Sequence, residues 1–226
     1  MGKCSFKYLL IGWLMLSISS FSACQEKSSP AATQMNEQLI KAVTAGDTAR
    51  VAVLLTDNKL VNSSNAAGES LLLLATQRNN LPMVTLLVSR GAEVNQQANN
   101  QDSPFLYAGA AGYTPLLKVF LAHGARFDVF NRYHGTALIP ACERGHIETV
   151  SLLANTPKFP IDHVNRLGWT ALMEAVVLGD GSAKYKSIVE ILIEAGVDKR
   201  IPDNNQVTAG EHALKLGYKE IAQLLN

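Results

Sequence analysis

The sequence predicts an all-α solenoid built from about six stacked helix-turn-helix repeats, and three observations predict it. The first is a period. Ala42, Ala75, Ala108, Ala141, Ala175 and Ala213 occupy like positions, at steps of 33, 33, 33, 34 and 38 residues. Spacing of this size marks units that cannot bury their apolar faces alone and stack to do so. The second is a column of caps. Ser70, Ser103, Thr136, Thr170 and Thr208 recur at one phase, where a hydroxyl can accept a hydrogen bond from an orphan helix N–H. The third is a column of breaks, Gly46, Gly112, Gly145 and Gly217, with Asn79 as a substitute that tolerates positive φ.

The stretch from His134 to Leu153 shows the unit in full. Thr136 is read as the N-cap of a short helix carrying Ala137, Leu138, Ala141 and Cys142, and Gly145 stops it. Ile147, Val150, Leu152 and Leu153 give the next helix its apolar face. Neither helix is long enough to stand alone in water.

In chain order, residues 1–23 read as a leader. Lys3 and Lys7 form a basic n-region, and the apolar run from Tyr8 to Ile18 is too short for a permanent span. Phe21-Ser22-Ala23-Cys24 resembles a bacterial lipobox, which implies a signal peptide of the lipoprotein type and lipidation of Cys24. Gln25 stands where an Asp would imply retention at the inner membrane, so the outer membrane facing the periplasm is expected; a soluble periplasmic protein is the alternative. Residues 24–34, rich in Ser, Ala, Pro and Gln, read as a flexible tether.

The repeat domain is assigned to residues 35–226. Residues 35–66 form an N-terminal cap kept polar by Asn36, Glu37, Gln38 and Lys41. Residues 67–99 carry the strongly apolar Leu71–Leu74, and Pro82 opens a helix where its missing N–H costs little. Residues 100–132 contain the small, smooth run Ala108-Gly109-Ala110-Ala111, which predicts close helix approach. Residues 133–165 exit through Asn155-Thr-Pro-Lys-Phe-Pro160 in place of a Gly-Ala turn. Residues 166–203 hold an insertion at 179–184, between the two helices of the repeat. Residues 204–226 form a C-terminal cap with Lys215, Lys219, Glu220 and Gln223 on a wet face.

Taken together, these columns resemble the ankyrin repeat family, with its Thr-Pro-Leu-His-x-Ala helix start and Gly-Ala-Asp-Val-Asn turn. Arg90-Gly-Ala-Glu-Val-Asn95, His123-Gly-Ala-Arg-Phe-Asp128 and Ala195-Gly-Val-Asp198 match the turn. The helix-start His is replaced by Leu73, Leu106, Ile139, Met173 and Glu211. β-hairpin-like fingers are expected, with a turn glycine at Gly68 and Gly168; Gln101, His134 and Gln206 replace it in the other repeats and leave the turn geometry open there.

Composition excludes several function classes. The chain has 20 basic and 19 acidic residues, and removal of the two leader lysines leaves a net charge near −1. No basic field exists to hold nucleic acid. Cys142 is the lone cysteine after the lipobox, so no disulfide within the repeats is possible. Phosphate-loop, nucleophile-elbow and zinc-protease motifs are absent from the sequence. Cys142 and His146 read as a buried small residue and a turn histidine rather than a thiol–imidazole pair, and Asp180 as a turn former. No enzymatic activity and no cofactor are expected. A metal site using His134, Asp162 and His163 is the remote alternative.

The resemblance implies protein binding through the concave face. It places contacts at the finger tips and just after the marker Ala. Here those are Glu69, Gln77, Arg78, Asn100, Asp102, Arg132, Tyr133, Glu143, Arg144, Arg166, Leu167, Trp169 and Lys215. Arg132, Tyr133, Arg144, Arg166 and Trp169 fall together across repeats four and five, and aromatic and Arg anchors dominate interfaces. The expected role is a monomeric, non-enzymatic scaffold for a partner protein, touching the membrane only through its lipid. An immunity or inhibitor protein that neutralises a toxic enzyme in the periplasm is the alternative.

Overall fold

A computed structural model describes residues 30–56 and 58–226. The leader and Cys24 lie outside the described residues. Among the described residues twelve helices follow in pairs: α1 (Pro30–Ala45) and α2 (Thr48–Leu54), α3 (Leu71–Gln77) and α4 (Leu81–Ser89), α5 (Pro104–Ala111) and α6 (Thr114–Ala122), α7 (Leu138–Glu143) and α8 (Ile147–Ala154), α9 (Ala171–Val177) and α10 (Ala183–Glu194), α11 (Ala209–Leu216) and α12 (Lys219–Leu225). Odd-numbered helices stack on one another as an inner layer and even-numbered helices as an outer layer. The core lies between the layers. Every marker alanine is buried in it, because each faces its pair partner and the adjoining repeat or repeats. No helix among the described residues is long and apolar enough to cross a membrane. The leucine-rich faces are core.

Most of the cap column behaves as read. The N–H groups of Leu73, Leu106 and Met173 donate to the hydroxyls of Ser70, Ser103 and Thr170 at 3.1, 3.2 and 3.2 Å. Thr208 and Glu211 form a full capping box. Thr136 departs from this pattern. Its hydroxyl caps nothing and is buried without a partner. The cause is Pro140. In the other four repeats the N–H four residues past the cap donates to the cap carbonyl, as Glu174 does to Thr170 at 3.0 Å. Pro140 has no N–H, and its ring crowds that carbonyl. The first turn opens, and α7, at 6 residues, is the shortest helix among the described residues. Thr136→Val is therefore expected to stabilise the protein by about 1 kcal/mol, whereas Thr170→Val should cost about 1–2 kcal/mol by orphaning the Met173 N–H. Urea unfolding of both variants checks the opposite signs.

The tether also differs from expectation. Helix α1 begins at Pro30, so residues 30–34 are helical. Proline is suited to a first helical position, since the N–H it lacks would have had no partner there.

The fingers keep their geometry despite the missing glycines. Gln101, His134 and Gln206 take φ of 66, 58 and 61°, beside 76 and 82° at Gly68 and Gly168. A left-handed side-chain residue costs about 1–2 kcal/mol. Neighbouring Asx side chains hold the turns closed. Asn131 Oδ1 accepts from the N–H of Tyr133 and of Gly135, both at 2.9 Å, and Asp203 Oδ1 accepts likewise from Asn205 and Val207. Strand character among the described residues is confined to single bridges at Ser64–Ser70 and Pro202–Thr208.

Side-chain rungs tie successive repeats. Asn62 Oδ1 accepts from the Glu93 N–H, Asn95 Oδ1 from the Arg126 N–H and Asp162 Oδ1 from the Asp198 N–H, at 2.8–2.9 Å. Asp128 holds the intervening position but turns to Arg126 instead. The Gly-Ala turn it would meet is replaced by the loop at 155–160. Phe159 fills that gap, with its ring centroid 4.9 Å from Phe127. The insertion is anchored on both sides. The Tyr185 hydroxyl donates to the Glu143 carbonyl at 2.8 Å, and the Tyr218 hydroxyl to the Gly179 carbonyl at 3.1 Å. The C-terminal cap is less polar than its sequence suggested. Leu214 is 59% exposed, whereas Thr76, Cys142 and Val176, at the same phase of earlier repeats, are buried under the next repeat.

Candidate protein-binding groove

Finger tips and inner helices face each other along the concave side. Over α5, α7 and α9 lies a concavity of about 560 Å³. Its finger wall carries Asn131, Arg132, Tyr133, Asn165 and Leu167. Its floor carries Leu106, Tyr107, Ala110, Ile139, Pro140, Glu143, Arg144, Glu174 and Leu178, with Asp102 at one edge. Leu106, Ile139 and Pro140 are buried, while Tyr133, Leu167 and Leu178 are about half exposed at the rim.

The structure brings Asp102, Arg132, Tyr133, Glu143, Arg144 and Leu167 together from the residues expected at the interface. The others lie elsewhere. Glu69 accepts from Gln77 at 2.8 Å and Asn65 at 2.7 Å, a self-contained polar cluster two repeats upstream that holds its carboxyl below the usual range. Arg78 is exposed on the same repeat. Asn100 donates to Asp102 within its own finger. Arg166 reaches back to the Arg132 carbonyl at 3.1 Å and bridges two fingers. Trp169 is half-buried against the core and does not line the concavity. Lys215 is exposed on the last repeat.

Both arginines of the concavity are engaged. Arg132 sits 4.9 Å from the Tyr133 ring centroid and 4.0 Å from Asp102. Arg144 donates to the Ala110 carbonyl at 2.8 Å. The carboxylates of the floor are not neutralised. Glu174 is 5% exposed, and its Oε1 accepts from the Asn165 side-chain amide at 2.9 Å. Burial, reinforced by the charge of Glu143 and opposed by the Asn165 hydrogen bond, pushes its pKa up to about 7. Among the described residues no cation pairs with Glu143 or Glu174.

Sequence reading missed Glu174, Tyr107, Asn165 and Leu178. A usable signal was there for Glu174. It stands four residues past its cap, where Leu74, Tyr107, Pro140 and His212 stand in other repeats, and a carboxylate there faces the groove. His212 in the last repeat meets finger Asp203 at 2.8 Å, just as Glu174 meets finger Asn165.

Other candidates resolve into packing. Cys142 is buried, and desolvation raises its pKa. His146 packs over Gly112 of the preceding repeat, and burial lowers its pKa. The His163 ring stacks on Phe130 and lies 2.6 Å from the His134 carbonyl through Nε2, while Asp162 accepts from Asp198. No group of three or more His, Cys, Asp or Glu side chains placed to hold a metal occurs among the described residues. Asp180 accepts from the Ser182 N–H of its own turn.

The family profile for ankyrin repeats (three copies) matches residues 39–131 and 105–203. The chain belongs to the ankyrin repeat family. The putative ankyrin repeat protein YahD of Escherichia coli K12 is 33% identical over 180 residues, 80% of this chain and 90% of that one. An ankyrin repeat domain from Acinetobacter baumannii superposes with a TM-score of 0.80 at 43% identity, covering 83% of this chain and 95% of that one. A chain from the complex of a Bdellovibrio bacteriovorus predatory endopeptidase with an immunity protein superposes at 0.69 and 24% identity, over 84% of this chain and 96% of that one. That last likeness bears on the fold alone. Ankyrin stacks are in general non-enzymatic protein-interaction scaffolds, and this groove carries no constellation of nucleophile, base and orienting group.

Proposed function

We propose that this ankyrin stack is a non-enzymatic scaffold of the bacterial cell envelope, held by lipid on Cys24, that binds a partner protein through the groove of repeats three to five. The carrying observation is the concavity of about 560 Å³, rimmed by half-exposed Tyr133, Leu167 and Leu178 above a buried apolar floor. Exposed aromatic and aliphatic anchors around a preformed hollow suit an interface hot spot. The envelope address rests on the leader and lipobox.

Capture from cross-linked envelopes tests the reading. Wild type should recover one partner, and Tyr133→Ala/Leu167→Ala should lose it, by about 2–4 kcal/mol of affinity. Capture that survives the double change overturns the groove as the working surface. Mass spectrometry of the mature N-terminus, expected to show acylated Cys24, checks the anchor.

An immunity role is the second reading. It is compatible with the fold, which a chain from an endopeptidase–immunity protein complex shares. A single tight partner with hydrolase activity, silenced on binding, would support it over a resident scaffold.

A further inference from the structure

We propose that the floor of the groove is a receptor for one basic side chain, Lys or Arg, of the partner protein, its cationic head set between Glu143 and Glu174 and its aliphatic stem against Leu167 and Leu178. This rests on the protein-binding reading above and names the chemistry of the partner's anchor.

Three observations carry it. Glu174 is 5% exposed yet lines the hollow, and Asn165 donates to Oε1 while no residue among those described donates to Oε2. Glu143 lies close enough for its charge to act on Glu174 across the α7–α9 contact. Neither carboxylate has an ion pair among the described residues, and the arginines that could have served are tied elsewhere. Two carboxylates that line one partly dry hollow repel, and a cation between them converts repulsion into attraction.

The walls select which cation. Leu167 and Leu178 are half-exposed and apolar. A long methylene stem covers such surface while its head seeks polar partners. Tyr107 adds an aromatic wall. A hydrated inorganic ion would gain nothing from these groups. Glu143 and Glu174 offer acceptor oxygens to the several N–H groups of an ammonium or guanidinium, and charge-assisted bonds of this kind are the strong ones.

Nuclear magnetic resonance on the full chain gives the test. Acetyl-lysine amide and acetyl-arginine amide are titrated against the isosteric acetyl-norleucine amide and against calcium chloride. The expected result is a shift of the Asn165 side-chain amide and of the Glu174 carboxyl carbon with the two cationic amides, absent with norleucine. Glu174→Gln should weaken the response roughly thirtyfold or more, and Glu143→Gln should weaken it too. Equal response to norleucine, response to calcium at lower concentration than to either amide, or an undiminished response in Glu174→Gln would each overturn the proposal. Glu174→Gln keeps the oxygen that Asn165 bonds, so its loss of binding is readable in a folded protein. The two readings also fail separately. Silent amides with partner capture still dependent on Tyr133 and Leu167 would sink the basic anchor and leave the scaffold. Cationic amides that bind where no partner is captured would do the reverse.

Discussion

Replacing Glu174 with Gln is expected to stabilise the protein by about 2–3 kcal/mol at pH 8 and by nothing at pH 4. The sign follows from the two end states. In the unfolded chain the carboxyl titrates at the ordinary 4.5, and in the fold at about 7. Between those values the native state holds a proton that the unfolded chain has released. Wild-type stability therefore falls as pH rises from 4.5, and the penalty is complete above 7. Each pH unit of that interval is worth about 1.36 kcal/mol, which sets a ceiling of about 3.4 kcal/mol. Gln cannot ionise and keeps the acceptor that Asn165 uses. Among the groups on the packed elements, Glu143 on α7 bears charge, Cys142 is a neutral thiol, and His212 on α11 is turned to Asp203. Urea unfolding of both proteins from pH 4 to 9 measures the difference. Parallel stability curves would show that Glu174 titrates normally. A substitution that stabilises the fold while abolishing cation binding would mark Glu174 as a residue kept at a cost in stability for binding.

What the sequence made legible is what is local. Period, marker alanines and four of the five hydroxyl caps depend on residues within one turn, and a single repeat displays them. Thr136 failed as a cap because a proline four residues on removed the N–H that would have closed its turn. The fingers at Gln101, His134 and Gln206 lack the turn glycine and keep its geometry. At His134 and Gln206 the turn is fixed by a neighbouring Asx side chain more than by the residue at positive φ. The groove was half legible. Finger-tip positions such as Tyr133 and Leu167 follow from phase alone. Glu174 did not, since its environment comes from Glu143, thirty-one residues away, and from a finger that folds back over it. Trp169 reads as an anchor by residue type, and the structure places it half-buried against the core, outside the concavity.

Replacing Gly109 with Val is expected to cost about 3 kcal/mol or more, which is roughly 6–12 °C in Tm for a domain of this size. The reason lies in the closest approach between repeats three and four. A Cβ at Gly109 would sit 2.6 Å from the Ala137 Cβ and 2.8 Å from the Ala137 carbonyl oxygen. The second of these is backbone, at the start of α7, and cannot turn aside as a long side chain can. Helices α5 and α7 must separate instead. A stack touches only its nearest neighbours, so an opened interface also divides the cooperative unit. Gly109→Ala should show the same effect in smaller measure, about 1–2 kcal/mol, because the helix propensity gained by Ala offsets part of the clash. Unfolding followed by far-ultraviolet dichroism and by hydrogen exchange repeat by repeat provides the check. Early loss of protection in α7–α12 while α1–α6 stay folded, or the reverse, is the expected pattern for Val. Wild-type stability in both variants would mean that the two helices can part freely. In that case the floor between α5 and α7 is not rigid, and the groove it forms is not preformed.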